Sequence, residues 1–517
     1  MKVVLANSIG KDKHGFYIIH SPSRWSEGVR NIENWFAYYP WELAYTSSLL
    51  KRETKHEIKL LDGCLERLNL ESYYKKIIPE KPDWLIMESA TRMIEENLEL
   101  ALKIKKELGT KIVFVGQHAS AFPEELLDRG VDYVCMGEYE ITILELLQGK
   151  NPKDILGIYP NPRRPLLDID YLPFPEDEDV KRIDYGIPGE PSSEYMEIQM
   201  YASRGCPRSC NFCVARNIYY AQPNWRTRKI ENIISEIKYL KNKYPKVEGI
   251  FFDEEVHNVK KDFILNLCQA IKKEGLNKLH YEAMCDIWFM DEEMLKAMRD
   301  AGYYKIRFGI ETANREVAEL INKQLDLKKL FFLLQEAKKI GLKTYGTFMF
   351  GAWGSTKESD LETIELIKKL ILNGLLDNIQ ISISTPQPGT KFYQLVKEKG
   401  YLIENEYYKF DGGNFSMVSY PEYKKEEIEK IKDLAIRVRD HFYFIYRFRK
   451  GLWLNWFIYV YKKQGMRKVI KKILRRVKNE FVFILKMYLG LLKDQIGILT
   501  FLIFVCIFNI LFLIFDI

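Results

Sequence analysis

Ser203-Arg204-Gly205-Cys206-Pro207-Arg208-Ser209-Cys210-Asn211-Phe212-Cys213 sets three cysteines at C-x3-C-x2-C spacing, just after a stretch that reads as a strand. Thiolates are the soft ligands that iron–sulfur clusters need, and one short loop can wrap three of them around a cubane face. Three ligands for four irons leave one iron open to chelation by a substrate or cofactor. A structural zinc site asks for four ligands, usually in two separated pairs, and no second pair is visible. The other five cysteines (Cys64, Cys135, Cys268, Cys285 and Cys506) are scattered. A secreted disulfide framework would be denser and more even, so a reducing compartment is expected for the main body. The opening MKVVLANSIG is too short and too polar afterwards for a signal peptide.

Outward from the cysteines, residues 196–402 alternate strand and helix patterns. Strand candidates are Gln199–Ser203, Gly249–Phe252, Leu279–Ala283, Lys305–Ile310, Thr344–Phe350 and Asn378–Ser382. Six βα units in series predict a parallel sheet curled into a partial (β/α)6 barrel. Residues 151–195 are rich in Pro, Gly and acid and read as a linker. Residues 1–150 alternate again, with strands expected at Val3–Ala6, Ile58–Asp62, Trp84–Glu88, Lys111–Gly116 and Tyr133–Gly137. That pattern predicts a doubly wound, Rossmann-like α/β domain. Its turns at Asp62-Gly63, Ser89-Ala90-Thr91, Gly116–Ser120 and Gly137-Glu138 fall at the C-terminal strand ends, where such sheets bind ligands.

The cysteine loop, with aromatic Phe212 before the third cysteine, resembles the signature of the radical S-adenosylmethionine (radical SAM) superfamily. The resemblance implies a 4Fe–4S cluster on Cys206, Cys210 and Cys213 whose open iron is chelated by the methionyl group of SAM. One electron then cleaves SAM to a 5′-deoxyadenosyl radical, which abstracts hydrogen from a substrate. Further pieces follow in the family's order. Phe252-Asp253-Glu254-Glu255 ends the second barrel strand, where the family carries polar SAM contacts, and Asp253 is the candidate there. Gly309-Ile310-Glu311-Thr312 resembles the fourth-strand motif, whose Glu approaches SAM. Gly351-Ala352-Trp353-Gly354 resembles the glycine-rich turn near adenine, with Gly351 and Gly354 as candidates. Pro386–Thr390 matches a sixth-strand pattern of the cobalamin-binding subgroup. The third strand departs: Cys285-Asp286 stands where the subgroup often has Arg then Asp, so no SAM contact is assigned there.

Residues 1–150 resemble the cobalamin-binding domain that precedes many radical SAM cores, on Lys81–Ile86, Ser89–Thr91, Val115–Ser120, Pro123–Glu125, Val131–Val134 and Gly137-Glu138. The resemblance implies cobalamin against Asp62, Ser89, Thr91, Gly116, Ser120, Gly137 and Glu138. Gly116 would let backbone approach a bulky ligand, and the hydroxyls could hydrogen-bond it. The usual double glycine is here Gly116-Gln117. No D-x-H-x-x-G motif is present, so no lower-axial histidine is expected, and His118 reads as a surface or structural histidine.

Composition sets the remaining limits. With 47% hydrophobic and 29% charged residues, the 517-residue chain can bury a large core. Of its net charge of +7, nine positive charges and no acid lie in residues 462–478, leaving −2 for the rest. This is a local basic patch, and no nucleic-acid partner is expected. Met466, Val469, Ile470, Ile473, Leu474 and Val477 recur at helical spacing opposite the cations, as in a membrane-surface helix. Ile496–Phe515 carries no charge and as a helix would span about 30 Å, the hydrocarbon thickness. Residues 403–480 are thus read as a helical region and 481–517 as a membrane-anchoring tail, with the body on the cytoplasmic side.

The expected activity is cobalamin-dependent methylation of an unactivated carbon of a lipid-like or hydrophobic substrate, with an electron donor such as flavodoxin or ferredoxin. The rivals are a radical SAM cyclase or oxidase without net methyl transfer, a methylthiotransferase, which would need a second cluster, and a membrane-attached cobalamin-binding sensor or carrier.

Overall fold

The computed structural model describes residues 1–12, 15–20, 26–28, 36–186, 193–404, 406–410 and 413–451. In chain order the strands are β1 (Lys2–Ala6), the short antiparallel pair β2 (Ile18–His20) and β3 (Ser26–Gly28), β4 (Glu57–Leu61), β5 (Trp84–Glu88), β6 (Lys111–Val115) and β7 (Tyr133–Val134). After them come β8 (Glu197–Met200), β9 (Ser203–Arg204), β10 (Arg226–Thr227), β11 (Gly249–Phe252), β12 (His280–Cys285), β13 (Tyr303–Glu311), β14 (Lys343–Phe350) and β15 (Asn378–Ile383).

The first sheet is parallel in the order β4-β1-β5-β6-β7. Its central strands are buried along their length (Trp84–Glu88 without exception), as near-continuous apolar runs demand when helices cover both faces. The order reverses between β1 and β5, and a doubly wound sheet opens a crevice at that switch point, beyond the carboxyl ends of the strands. The β1–α connection crosses this edge: Ile18 of β2 packs on Ala90 and Met93.

The second sheet runs β8-β11-β12-β13-β14-β15, all parallel and in sequence order, with β8 and β15 as unpaired edges. This is the expected six-unit open barrel. Several helices between its strands, and the one after β15, begin on a side-chain cap: Asp291 accepts from the Met294 N–H, Asn314 from Val317, Asp326 from Lys329 and, after β15, Thr390 from Tyr393.

Both sheets belong to one compact unit, Met1–Leu370 with Leu375–Asp433; a second comprises Ile371–Gly374 and the chain from Leu434. Residues 151–195, expected as a linker, are largely folded against the body. Ile155, Leu167, Ile169, Leu172 and Tyr185 join the N-terminal core, and the buried Arg182 pairs with Glu236. Within the region read as helical, Lys425–Arg449 forms one charged helix. Among the described residues no helix is long and apolar enough to cross a membrane. The basic helix at 466–477 and the tail Ile496–Phe515 lie outside the described residues.

Candidate active site

The first barrel strand ends at Met200, short of the expected Ser203. Glu254 is the cause: its carboxylate accepts the N–H groups of Ala202 (2.5 Å) and Ser203 (3.0 Å), which would otherwise continue the ladder. Glu254 is in turn bonded to the buried His257, whose other ring nitrogen meets the Tyr303 hydroxyl. Glu255 accepts the Gly205 N–H at 2.9 Å. The chain is thereby turned out of the sheet, and β9 and β10 close the base of a loop that carries all three cysteines. A π-helical turn, Ala215–Tyr219, follows Cys213. Asn217 staples this loop, donating to the carbonyls of Cys210 (3.0 Å) and Cys213 (2.7 Å).

Burial pushes the thiols up, Cys206 to about 12 and Cys213 to about 11, and raises Cys210 as well. Such thiols stay protonated until a metal displaces the proton. No three Cys, His, Asp or Glu side chains among the described residues are grouped as ligands of a single ion. A cubane asks for a wider set, because each thiolate takes a separate iron. Three soft donors on one loop fit that group.

The candidate SAM residues gather on the same side of the barrel. Glu311 ends β13 at a register shift, with φ of +72°, a conformation that non-glycine residues adopt at a cost and that concentrates at functional sites. Burial raises its carboxyl, tempered by Lys323 and by the Thr347 hydroxyl. Asp253 is buried at the end of β11, with Arg307 close enough to feel its charge. Lys323, unmarked in the sequence, lies among Cys210, Asp286, Glu311 and Cys206; burial alone would lower its ammonium, and these groups outweigh it and raise it. Arg208 donates to Asp286 at 2.8 Å, while its Nη2 is buried without a partner. Sequence reading passed over Glu254, Glu255, Asn217 and Lys323 as site residues; only the two glutamates carried a signal, their place beside Asp253.

Gly351 and Gly354 form the turn after β14. Asp360 accepts the Gly351 N–H (2.9 Å) and the Tyr423 hydroxyl (2.9 Å), and Tyr420 donates to the Ala352 carbonyl (2.8 Å). Gly351 has φ of +68°, and a Cβ there would stand 2.7 Å from Ile428. Burial pushes the Asp360 carboxyl up to about 7. The folded protein therefore keeps this proton over a range in which the unfolded chain releases it, and stability falls as pH rises from about 4 to about 7. Asp360→Asn should flatten that slope, read as urea midpoints across the range. An unchanged slope would remove Asp360 from the account.

At the N-terminal edge, four expected ligand groups are occupied within the protein. Asp62 accepts from Asn7, from the Tyr185 hydroxyl and from the Leu65 N–H. Ser89 donates to the Val115 carbonyl and accepts from the Ala119 N–H. Ser120 donates to the Gly116 carbonyl and accepts the Gly137 N–H. Glu138 takes Arg204, Arg226 and the Leu167 N–H. These residues build the edge. Left without partners there are Thr91 Oγ1, Gln117 Nε2 and the Nδ1 atoms of His20 and His118, all buried, while the two Nε2 atoms lie 3.6 Å from Glu88 and 3.7 Å from Glu125. His118, expected at the surface or as a structural residue, is fully enclosed and packs on Phe122 and Tyr407. Unpaired buried polar groups are costly, and their concentration at one sheet edge fits a large polar ligand.

The family model described as the radical SAM superfamily matches residues 200–367, from the end of β8 through the cysteine loop and into the helix after β14. The chain is a radical SAM enzyme. The B12 binding domain model matches residues 36–147, on the first sheet. The chain is similar to an uncharacterized methyltransferase of Pyrococcus horikoshii, 29% identical over 388 residues, which cover 72% of this chain and 81% of that one. It is similar to the hopanoid C-3 methylase of Methylococcus capsulatus, 25% identical over 413 residues, 73% of this chain and 74% of that one. In fold it is similar to the cobalamin-dependent SAM radical enzyme OxsB with aqua-cobalamin and SAM bound, with a TM-score of 0.68 and 13% identity over 98% of this chain and 75% of that one. The cofactors of this radical SAM enzyme are a 4Fe–4S cluster, SAM and cobalamin.

Proposed function

We propose that this enzyme transfers a methyl group to an unactivated carbon of a lipid-like substrate. One observation carries the reading: the cysteine loop runs directly onto the cobalamin-type sheet edge. Arg163 bridges the two, donating to the carbonyl of Ser120 on one side (2.9 Å) and of Ile218 on the other (2.9 Å). When bound, the cluster with SAM supplies a radical able to take hydrogen from an sp3 carbon, and cobalamin supplies the methyl group.

The chain's own residues hold and orient. Cys206, Cys210 and Cys213 hold the cluster, and Asp253, Glu311 and the Gly351–Gly354 turn face SAM. Thr91 and Gln117 face the corrinoid across an edge shaped by Asp62, Ser89, Gly116, Ser120, Gly137 and Glu138. Lys323 supplies a cation for the methionyl carboxylate, in place of the arginine that Cys285-Asp286 lacks. Lys323→Met should weaken SAM binding about 10- to 100-fold, the loss of a charged hydrogen bond of roughly 1.5–3 kcal/mol. Equilibrium dialysis checks this, and iron content should not fall. Affinity equal to the parent's would remove Lys323 from the site.

The similarity to a hopanoid methylase supports a lipid-like substrate. A membrane location supports it too: the basic helix and the uncharged tail would keep the body at the cytoplasmic surface, where amphiphiles concentrate. A small electron-transfer protein of the flavodoxin or ferredoxin kind would supply the electron. Deletion after Lys493 should move the protein from the membrane fraction to the soluble or peripheral one; full-length protein that is soluble without detergent would contradict the anchor. The reaction is tested by feeding methyl-labelled methionine to cells with and without the gene. A labelled lipid that depends on the gene is expected. Label only in a soluble product would defeat the lipid part, and an unlabelled product would favour the cyclase alternative.

A further inference from the structure

The loop that bears the three cysteines closes on the β9–β10 ribbon, in which Arg204 and Arg226 are paired opposite each other. Both side chains leave the barrel and enter the N-terminal domain just past β7. Arg204 Nη1 lies 2.6 Å from Glu140 Oε1 and 3.2 Å from Glu138 Oε1. Arg226 grips Glu138 with two prongs, Nη1 to Oε2 at 2.8 Å and Nη2 to Oε1 at 3.0 Å. Two cations meet two anions, and the Arg204, Glu138 and Glu140 side chains are at most 2% exposed. Tyr45 lies under the Arg204 guanidinium, 4.9 Å from ring centre to Cζ.

Burying three charges and most of a fourth is expensive, and apolar residues of similar volume would often stabilise a fold as well or better. The forked geometry offers direction instead: planar guanidinium groups fix carboxylates at set distances and angles. Glu138 follows Gly137, whose N–H is tied to Ser120 on the corrinoid edge. Arg204 stands two residues before Cys206. The buried pairs therefore form a short covalent and ionic path from one cofactor's edge to the other cofactor's first ligand.

We infer that Arg204 and Arg226, gripping Glu138 and Glu140, are positioning residues that set the distance between the cluster and the corrinoid. This rests on the cofactor placement proposed above. The strut orients the two cofactor sites and touches neither substrate nor reacting atoms.

Pulsed EPR on the cofactor-loaded, full-length protein tests it, through the dipolar coupling between the reduced cluster and cob(II)alamin. The parent should give one narrow distance. The neutral pair Arg204→Met with Glu140→Gln, and separately the charge-keeping Arg226→Lys, should retain iron and corrinoid. Their distance distribution should widen from roughly 0.5 Å to 1 Å or more, the looseness expected when support behind a site is lost. A purely stabilising role would lower the thermal midpoint and leave the distribution narrow. A narrow, unshifted distance in Arg226→Lys and in the double variant overturns the inference; if the double variant does not fold, Arg226→Lys decides alone. Parent protein that binds both cofactors but shows no coupling would overturn the placement beneath it, an outcome distinct from failure of the strut.

Discussion

Cys210→Ala should abolish SAM cleavage and leave protein without a 4Fe–4S cluster, and Cys206→Ala and Cys213→Ala should do the same. Each thiolate takes a separate iron, so no remaining pair can share the task. The loop is also built around these three positions. Cys210 Sγ lies 3.6 Å from the Asn322 carbonyl, and Asn217 ties the Cys210 and Cys213 carbonyls together. Cys64, Cys135 and Cys268 provide the contrast. Burial raises all three thiols, all are free, and Ala at each should keep the cluster. Cys506, outside the described residues, should behave likewise. Iron content and 5′-deoxyadenosine formation under dithionite check both halves, and full activity from Cys210→Ala would sink the assignment.

Gly116→Val should eliminate corrinoid binding while iron content stays near the parent's. Gly116 has φ of +91°, and a Cβ there would stand 3.1 Å from Glu88 Cγ and 3.3 Å from the Ser89 nitrogen. The backbone strain alone is of order 1–3 kcal/mol, more for a β-branched residue. Relief requires the turn to move, and Ser89, Ala119 and Ser120 are bonded through it. The edge would lose its shape where β6 meets the unpartnered Thr91 and Gln117. Corrinoid absorbance of protein purified with cobalamin supplied measures the loss. Undiminished corrinoid in Gly116→Val would move the site elsewhere.

Much of the fold was legible because its signals are local. Runs such as Trp84–Met87 and Ile112–Val115 are apolar and buried throughout, and parallel strands covered on both faces look like that. The C-x3-C-x2-C spacing is likewise a local pattern that carries its own chemistry. What sequence could not show was partnership. Asp62, Ser89, Ser120 and Glu138 have the right chemistry at the right strand ends, yet each is taken by protein groups, for Asp62 and Glu138 from far along the chain, Tyr185 and Arg204 among them. The end of β8 at Met200 depends on Glu254, fifty-odd residues away. Residues 151–195 looked like a linker because Pro and acid dominate, although apolar residues such as Leu167 and Tyr185 fill the N-terminal core. Lys323 had no sequence signal, because a lone lysine before a helix is ordinary until Glu311 and the cysteines are seen around it.

The open iron is the central claim, and EPR of the dithionite-reduced, full-length protein with and without SAM tests it most directly. SAM should shift the cluster's spectrum, and SAM carrying 15N in its methionyl amine should add hyperfine coupling to it. Spectra that are identical with and without SAM, on protein shown to carry four irons per chain, would contradict it.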